Sequence, residues 1–124
     1  MARPLKAVAP PRRGQVWLVA LDPTVRHEIQ KTRLAVVIQN DRSNRTAQTT
    51  IVAPLTSTVA PRIYPTEVLV TAGDGGCRVD SLILLRQFRC VDRTRLVKRL
   101  GAVRRHTLDS VDQALQITLG LIEL

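Results

Sequence analysis

The chain has 124 residues, 44% hydrophobic and 23% charged, with a net charge of +9. That length builds one domain with its own core but not two, and the hydrophobic share excludes a disordered chain. No apolar run is long enough for a helical membrane span, and the excess of cations points to a polyanionic partner.

Residues 1–12 hold basic residues and Pro4, Pro10 and Pro11, which predicts a flexible, extended lead-in to a single domain over 13–124. The lead-in has basic residues but no apolar core segment, so it does not read as a secretory signal and the expected compartment is the cytoplasm. Strands are expected at residues 15–21, 34–40 and 49–55, where valine, isoleucine and leucine cluster between turn residues. The polar stretch 41–48 suits a longer hairpin connection. Residues 66–70 read as a further strand. Gly73, Asp74, Gly75 and Gly76 form the strongest turn signal, followed by strands at 79–85 and 88–91. Asp92 is placed to cap a short helix through residue 100, with Leu96, Val97 and Leu100 inward and Gly101 as its stop. From Thr107, the residues Leu108, Val111, Ala114, Leu115, Leu119 and Ile122 follow a helical rhythm. Asp109 and Asp112 suit the positive end of that helix. Serial short strands with a terminal helix predict a mainly β (α+β) fold, a small, mostly antiparallel barrel.

Charge is concentrated late in the chain. Arg86, Arg89, Arg93, Arg95, Lys98, Arg99, Arg104 and Arg105 are opposed only by Asp92. Such a run is either a solvated basic face or a phosphate-binding surface, and its single sign favours phosphate. Trp17, Tyr64 and Phe88 are the only aromatics, too few for binding by base stacking alone. Phosphate contacts and hydrogen bonds must then carry the affinity. Cys77 and Cys90 have no metal spacing and no nearby histidine, so no metal and no cofactor is expected.

Between the first two strands, residues 22–33 bring His27, Glu28, Lys31 and Arg33 onto one connection. Each has a plain alternative: a surface histidine, or a surface ion pair worth little. His106 reads as structural. Together with Thr56 they offer what RNA cleavage needs. His27 is a proton acceptor or donor near neutral pH, Arg33 a cation for the phosphoryl oxygens and Thr56 a hydroxyl donor, while Glu28 orients His27 or Arg33. Arginine rarely gives up its proton, so Arg33 suits charge stabilisation and His27 the acid/base work.

The blocks GQVWLVALDPT, HE, TR-LAVVIQND, Asn44-Arg45, IVAPLTST and DSLILLRQFRCVDRTRL occur in the order and spacing of the MazF/PemK (Kid) toxins, and the chain resembles that family from about Arg12 onward. The resemblance implies an SH3-like antiparallel barrel of the MazF/Kid/CcdB type and a homodimer. It implies a sequence-specific, metal-independent endoribonuclease, an mRNA interferase that arrests growth. Such an enzyme cleaves single-stranded RNA to 2′,3′-cyclic phosphate and 5′-hydroxyl ends. It further implies an acidic antitoxin whose disordered segment inhibits the toxin, and DNA binding as the joint complex. The family's catalytic arginine and threonine fall on Arg33 and Thr56, its loop acid on Glu28 and the PemK/Kid histidine on His27. RNA-contacting positions fall on Asn40, Asp41, Asn44, Ser57, Ser81, Arg86 and Gln87. Three features depart from the pattern: Leu34 replaces a proline, Arg26 and Ile29 replace glycine and glutamine, and Arg86 replaces an acid. Two other readings are a non-catalytic RNA-binding relic and a CcdB-like gyrase inhibitor. The second needs a C-terminal Trp-Gly-Ile tail, which this chain lacks.

Overall fold

The computed structural model describes residues 9–21 and 32–123. In chain order the elements are β1 (Gln15–Ala20), β2 (Thr32–Val37), α1 (Asp41–Thr46), β3 (Thr49–Thr56), β4 (Glu67–Val70), β5 (Ser81–Leu84), β6 (Arg89–Asp92), β7 (Leu96–Ala102) and α2 (Arg105–Thr118). Short 3-10 turns lie at Asp74–Gly76, Leu85–Gln87 and Arg93–Arg95. All strand pairings are antiparallel, in the order β4-β5-β3-β2-β1-β7, with β6 also on β3. This is the small barrel expected from the strand pattern.

The central strands are apolar on both faces because both faces are buried. Ala35 and Val37 of β2 join Val19, Val52 and Val91 in one cluster, while Val36 joins Ala53, Leu55, Ile83 and Leu85 in the other. The period of two along a strand therefore yields an unbroken apolar run rather than alternation. β3 is the pivot. Its residues Thr49 to Val52 pair with β6, and Leu55 and Thr56 pair with β5. Pro54, which has no N–H to give a ladder, lies between the two pairings.

α2 covers the second cluster through Val111 and Ala114, with Leu108 and Leu115 packed against it. Its start has no side-chain cap of its own. Asp74, almost fully buried, supplies one from a distance: its carboxylate accepts from the Arg104 backbone N–H at 2.7 Å and the Thr107 hydroxyl at 2.5 Å. The helix ends at Thr118, about one turn short of the expected apolar stripe, which runs to Ile122. Gly120, at φ 72°, closes it. The Gly120 N–H donates to the Ile117 carbonyl at 3.1 Å and that of Leu121 to Gln116 at 2.8 Å, a Schellman stop.

Two expectations are corrected. Residues 41–48 are not only a loop but carry α1, because Asn40 caps it by accepting the Ser43 N–H at 2.8 Å. The helix expected over 92–100 is a single 3-10 turn followed by strand β7. Asp92 does cap, accepting from the Thr94 N–H at 2.9 Å and its hydroxyl at 2.8 Å, which holds its carboxyl below the usual range. The free edge of β1 then takes residues 96–102 as a partner, and pairing outweighs local helical spacing. Gly101 is no helix stop. A Cβ there would sit 3.0 Å from the Gly75 carbonyl, so the glycine lets the 73–76 turn lie on β7.

Candidate active site

Arg33 lies within β2, opposite Val19, rather than on the preceding connection. One guanidinium N–H donates to the Leu55 carbonyl at 3.1 Å, which lays the fork along the end of β3. Thr56 is the last residue of that strand, and its hydroxyl oxygen accepts the Thr58 N–H at 3.2 Å. Arginine has five N–H donors, so most of its fork stays available to a ligand. Among the described residues no carboxylate pairs with it.

These two groups open into a cleft of about 540 Å³ lined by β1, β2, the end of β3, the segment after the glycine turn, and β7. Its polar lining is Arg33, Thr56, Ser57, Arg78, Ser81 and Lys98, joined by Cys77 and an apolar wall that includes Leu18, Leu34, Leu55 and Leu100. Among the described residues no carboxylate lines it. Three cations and three hydroxyl residues lining one concavity are chemistry suited to phosphoryl oxygens. Burial and the nearby Asp74 carboxylate both push the Cys77 thiol above its ordinary value, so it stays protonated and is no nucleophile.

The expected residues divide into three groups. Arg33, Thr56, Ser57 and Ser81 share the cleft; Ser81 is nearly buried and its hydroxyl donates to the Val79 carbonyl at 3.0 Å. Arg86 and Gln87 do not reach it. They line a separate cleft of about 370 Å³ with Tyr64, Thr66, Glu67 and Leu84. Asn40, Asp41 and Asn44 belong to α1 and have local tasks. Asn40 caps the helix, and Asp41 accepts the Arg13 N–H at 2.6 Å. Asn44 is fully buried. Its amide donates to the Gln39 carbonyl at 2.9 Å and accepts from the Gln39 amide at 2.8 Å and the Thr50 hydroxyl at 2.7 Å. Asn44 therefore holds α1 onto β3 and has no face left for RNA. His27 and Glu28 lie outside the described residues.

The late basic run is not one surface. Arg93 and Arg95 donate to the Ala47 and Ala20 carbonyls, and Arg105 pairs with Asp109 at 3.3 Å. Of the run, Lys98 alone lines the Arg33 cleft. Arg78 lines it too and stands outside any charge run, so only the fold reveals it.

The antiparallel barrel that carries this cleft has the fold of solved MazF toxins. Residues 12–119 match the family described as PemK-like, MazF-like toxin of type II toxin–antitoxin system, and the chain belongs to that family. It is 40% identical over 112 residues to Endoribonuclease EndoA of Bacillus subtilis (strain 168), covering 90% of this chain and 97% of the relative. It is 38% identical over 115 residues to Endoribonuclease MazF9 of Mycobacterium tuberculosis, covering 89% and 97%. Among solved structures, MazF (Form-I) of Deinococcus radiodurans superposes with a TM-score of 0.72 at 27% identity, over 90% of this chain and 97% of that one. The MazE-MazF (Form-II) structure from the same organism gives 0.73 at 27%, over 92% and 98%.

Proposed function

We propose that this toxin is a sequence-specific endoribonuclease that cleaves single-stranded RNA by attack of a ribose 2′-oxygen on the adjacent phosphorus. The carrying observation is the convergence of Arg33 and Thr56 in a cleft with two further cations, Arg78 and Lys98. Names of the relatives at 38% and 40% identity support the same activity. As the 2′-O–P bond forms and the P–O5′ bond breaks, charge grows on the phosphoryl oxygens. The Arg33 fork and the Thr56 hydroxyl stabilise it. The products are a 2′,3′-cyclic phosphate and a 5′-hydroxyl. Positive charge at phosphorus comes from side chains, so the reaction needs no metal.

Proton transfer is assigned to His27 on sequence grounds, with Glu28 orienting it. Ser57 and Ser81 serve the cleft, and Arg86 and Gln87 extend RNA contact to the second cleft. The assembly proposed is a homodimer inhibited by an acidic antitoxin segment laid on the cationic cleft, and the two bind DNA together. The solved MazE-MazF structure of a family member supports a partner of this kind.

The test is incubation of the pure protein with a long unstructured RNA in EDTA. Discrete fragments with 5′-hydroxyl ends, lost in Arg33→Ala, are expected. Intact RNA retained in a salt-sensitive complex would instead identify a non-catalytic binder. His27→Ala with an unchanged rate and pH profile would remove His27 from the mechanism.

A further inference from the structure

Arg78 and Lys98 come from distant parts of the chain, and folding alone places them in the cleft with Arg33. Both side chains are exposed, and among the described residues neither has an ion-pair partner. The glycine turn delivers Arg78. Gly76, at φ 81°, lies so close to Leu100 that a Cβ there would meet its carbonyl oxygen at 2.7 Å. This contact fixes the start of the Cys77–Val79 segment against β7. Lys98 is set by β7 itself. It pairs with Leu18 between two register shifts, one between Val16 and Trp17 and one between Leu18 and Val19 on the β1 side. Bulges re-aim side chains, and here they flank Lys98, which lines the cleft.

We infer that Arg78 and Lys98 are RNA-positioning residues that hold phosphates flanking the scissile one, while Arg33 holds the scissile phosphoryl group itself. This rests on the RNA-cleavage reading above. Arg33 is tethered to the Leu55 carbonyl beside Thr56, which suits a fixed transition-state contact. Arg78 and Lys98 are exposed and, among the described residues, untethered, which suits a backbone that must bind before reaction and leave after it. A polynucleotide fits better than an acidic peptide because the cations share the cleft with three hydroxyls and an apolar wall able to meet bases.

Contacts to flanking phosphates are made equally before and in the transition state, so they lower KM and leave kcat alone. Each also releases counterions, and for single strands the slope of log K against log salt changes by about 0.7 per contact. Binding to a fully 2′-O-methylated oligonucleotide, which has no 2′-hydroxyl to attack, is measured over a salt series beside cleavage of the ordinary RNA. Arg78→Gln and Lys98→Gln should each weaken binding by about three- to tenfold at low salt and reduce the slope by about 0.7. The double variant should reduce it by about 1.4, with kcat within about twofold of wild type. Arg105→Gln removes the same charge from α2, away from the cleft, and should leave the slope unchanged.

Wild-type KM and salt slope in the double variant, with wild type cleaving RNA, overturns the inference. An equal loss of slope in Arg105→Gln overturns it too, since net charge rather than placement would then be responsible. A double variant that loses affinity only for an acidic peptide such as poly-glutamate also overturns it. Failure of wild type to cleave RNA at all is a different result and sinks the nuclease reading, while the salt slopes still test the phosphate contacts.

Discussion

Arg33 sits in a strand and spends one N–H on the Leu55 carbonyl, so its position depends on the β2–β3 pairing rather than on a loop. Removing it should cost reaction far more than fold. Arg33→Ala is expected to lower kcat by about 100- to 1000-fold, the usual loss for one donor to a developing anion. Arg33→Lys keeps the charge but loses the planar fork and should recover only part of the rate. Both variants should melt within a few degrees of wild type, since a single partly exposed hydrogen bond contributes about 1 kcal/mol. An Arg33→Ala protein that cleaves at the wild-type rate would remove this residue from the chemistry. Asn44 is the opposite case. Asn44→Ala takes the partner from the buried Thr50 hydroxyl and from the Gln39 backbone carbonyl and should cost about 2–3 kcal/mol in urea unfolding. Wild-type stability with lost RNA binding would reverse that assignment. Arg33 and Thr56 are candidates by residue type together with the family resemblance, and the fold brings both into one cleft. Arg78 could not, because nothing near it in the chain announces that the glycine turn folds back onto β7.

Elements show a similar division between local and tertiary causes. The runs that became β1, β2 and β3 were legible because they are buried on both faces and carry unbroken apolar sequence. β7 was not, since Leu96, Val97 and Leu100 have helical spacing and only the open edge of β1 makes them a strand. Asp74 was visible as a turn residue but not as the remote cap of α2, a role that depends on Arg104 and Thr107 arriving beside it. Two glycines separate backbone strain from crowding. Gly120 has nothing within 4 Å of where a Cβ would stand, so Gly120→Ala meets only the cost of a positive φ, about 1 kcal/mol. Gly76→Ala adds a clash with the Leu100 carbonyl at 2.7 Å, backbone that cannot swing aside. It should destabilise by well over 2 kcal/mol and loosen the cleft as well. Paired urea melts check this. Equal losses in the two variants would mean that the turn does not bear on β7.

At the scale of the molecule the question is what a charge of +9 does for a protein of this size. That figure already counts every acidic residue. Ion pairs among the described residues include Arg13 with Asp112 at 2.5 Å and Arg105 with Asp109 at 3.3 Å, the latter largely exposed and contributing little. Uncompensated like charge opposes the compact state, so the free protein should gain stability when salt screens that repulsion. Raising salt from about 10 mM to about 150 mM shortens the screening length from roughly 30 Å to roughly 8 Å. The melting temperature should rise by a few degrees over that range. RNA binding must move the other way, because each phosphate contact weakens as salt rises. The same titration should therefore raise Tm and lower kcat/KM. A partner of opposite charge, RNA or an acidic segment, should at low salt recover the stability that repulsion withholds, since it binds the folded form. If Tm falls with salt, attractive pairs dominate the free protein and its charge is not held in reserve for a polyanion. If Tm rises while cleavage is indifferent to salt, the cations of the cleft are not reading phosphates.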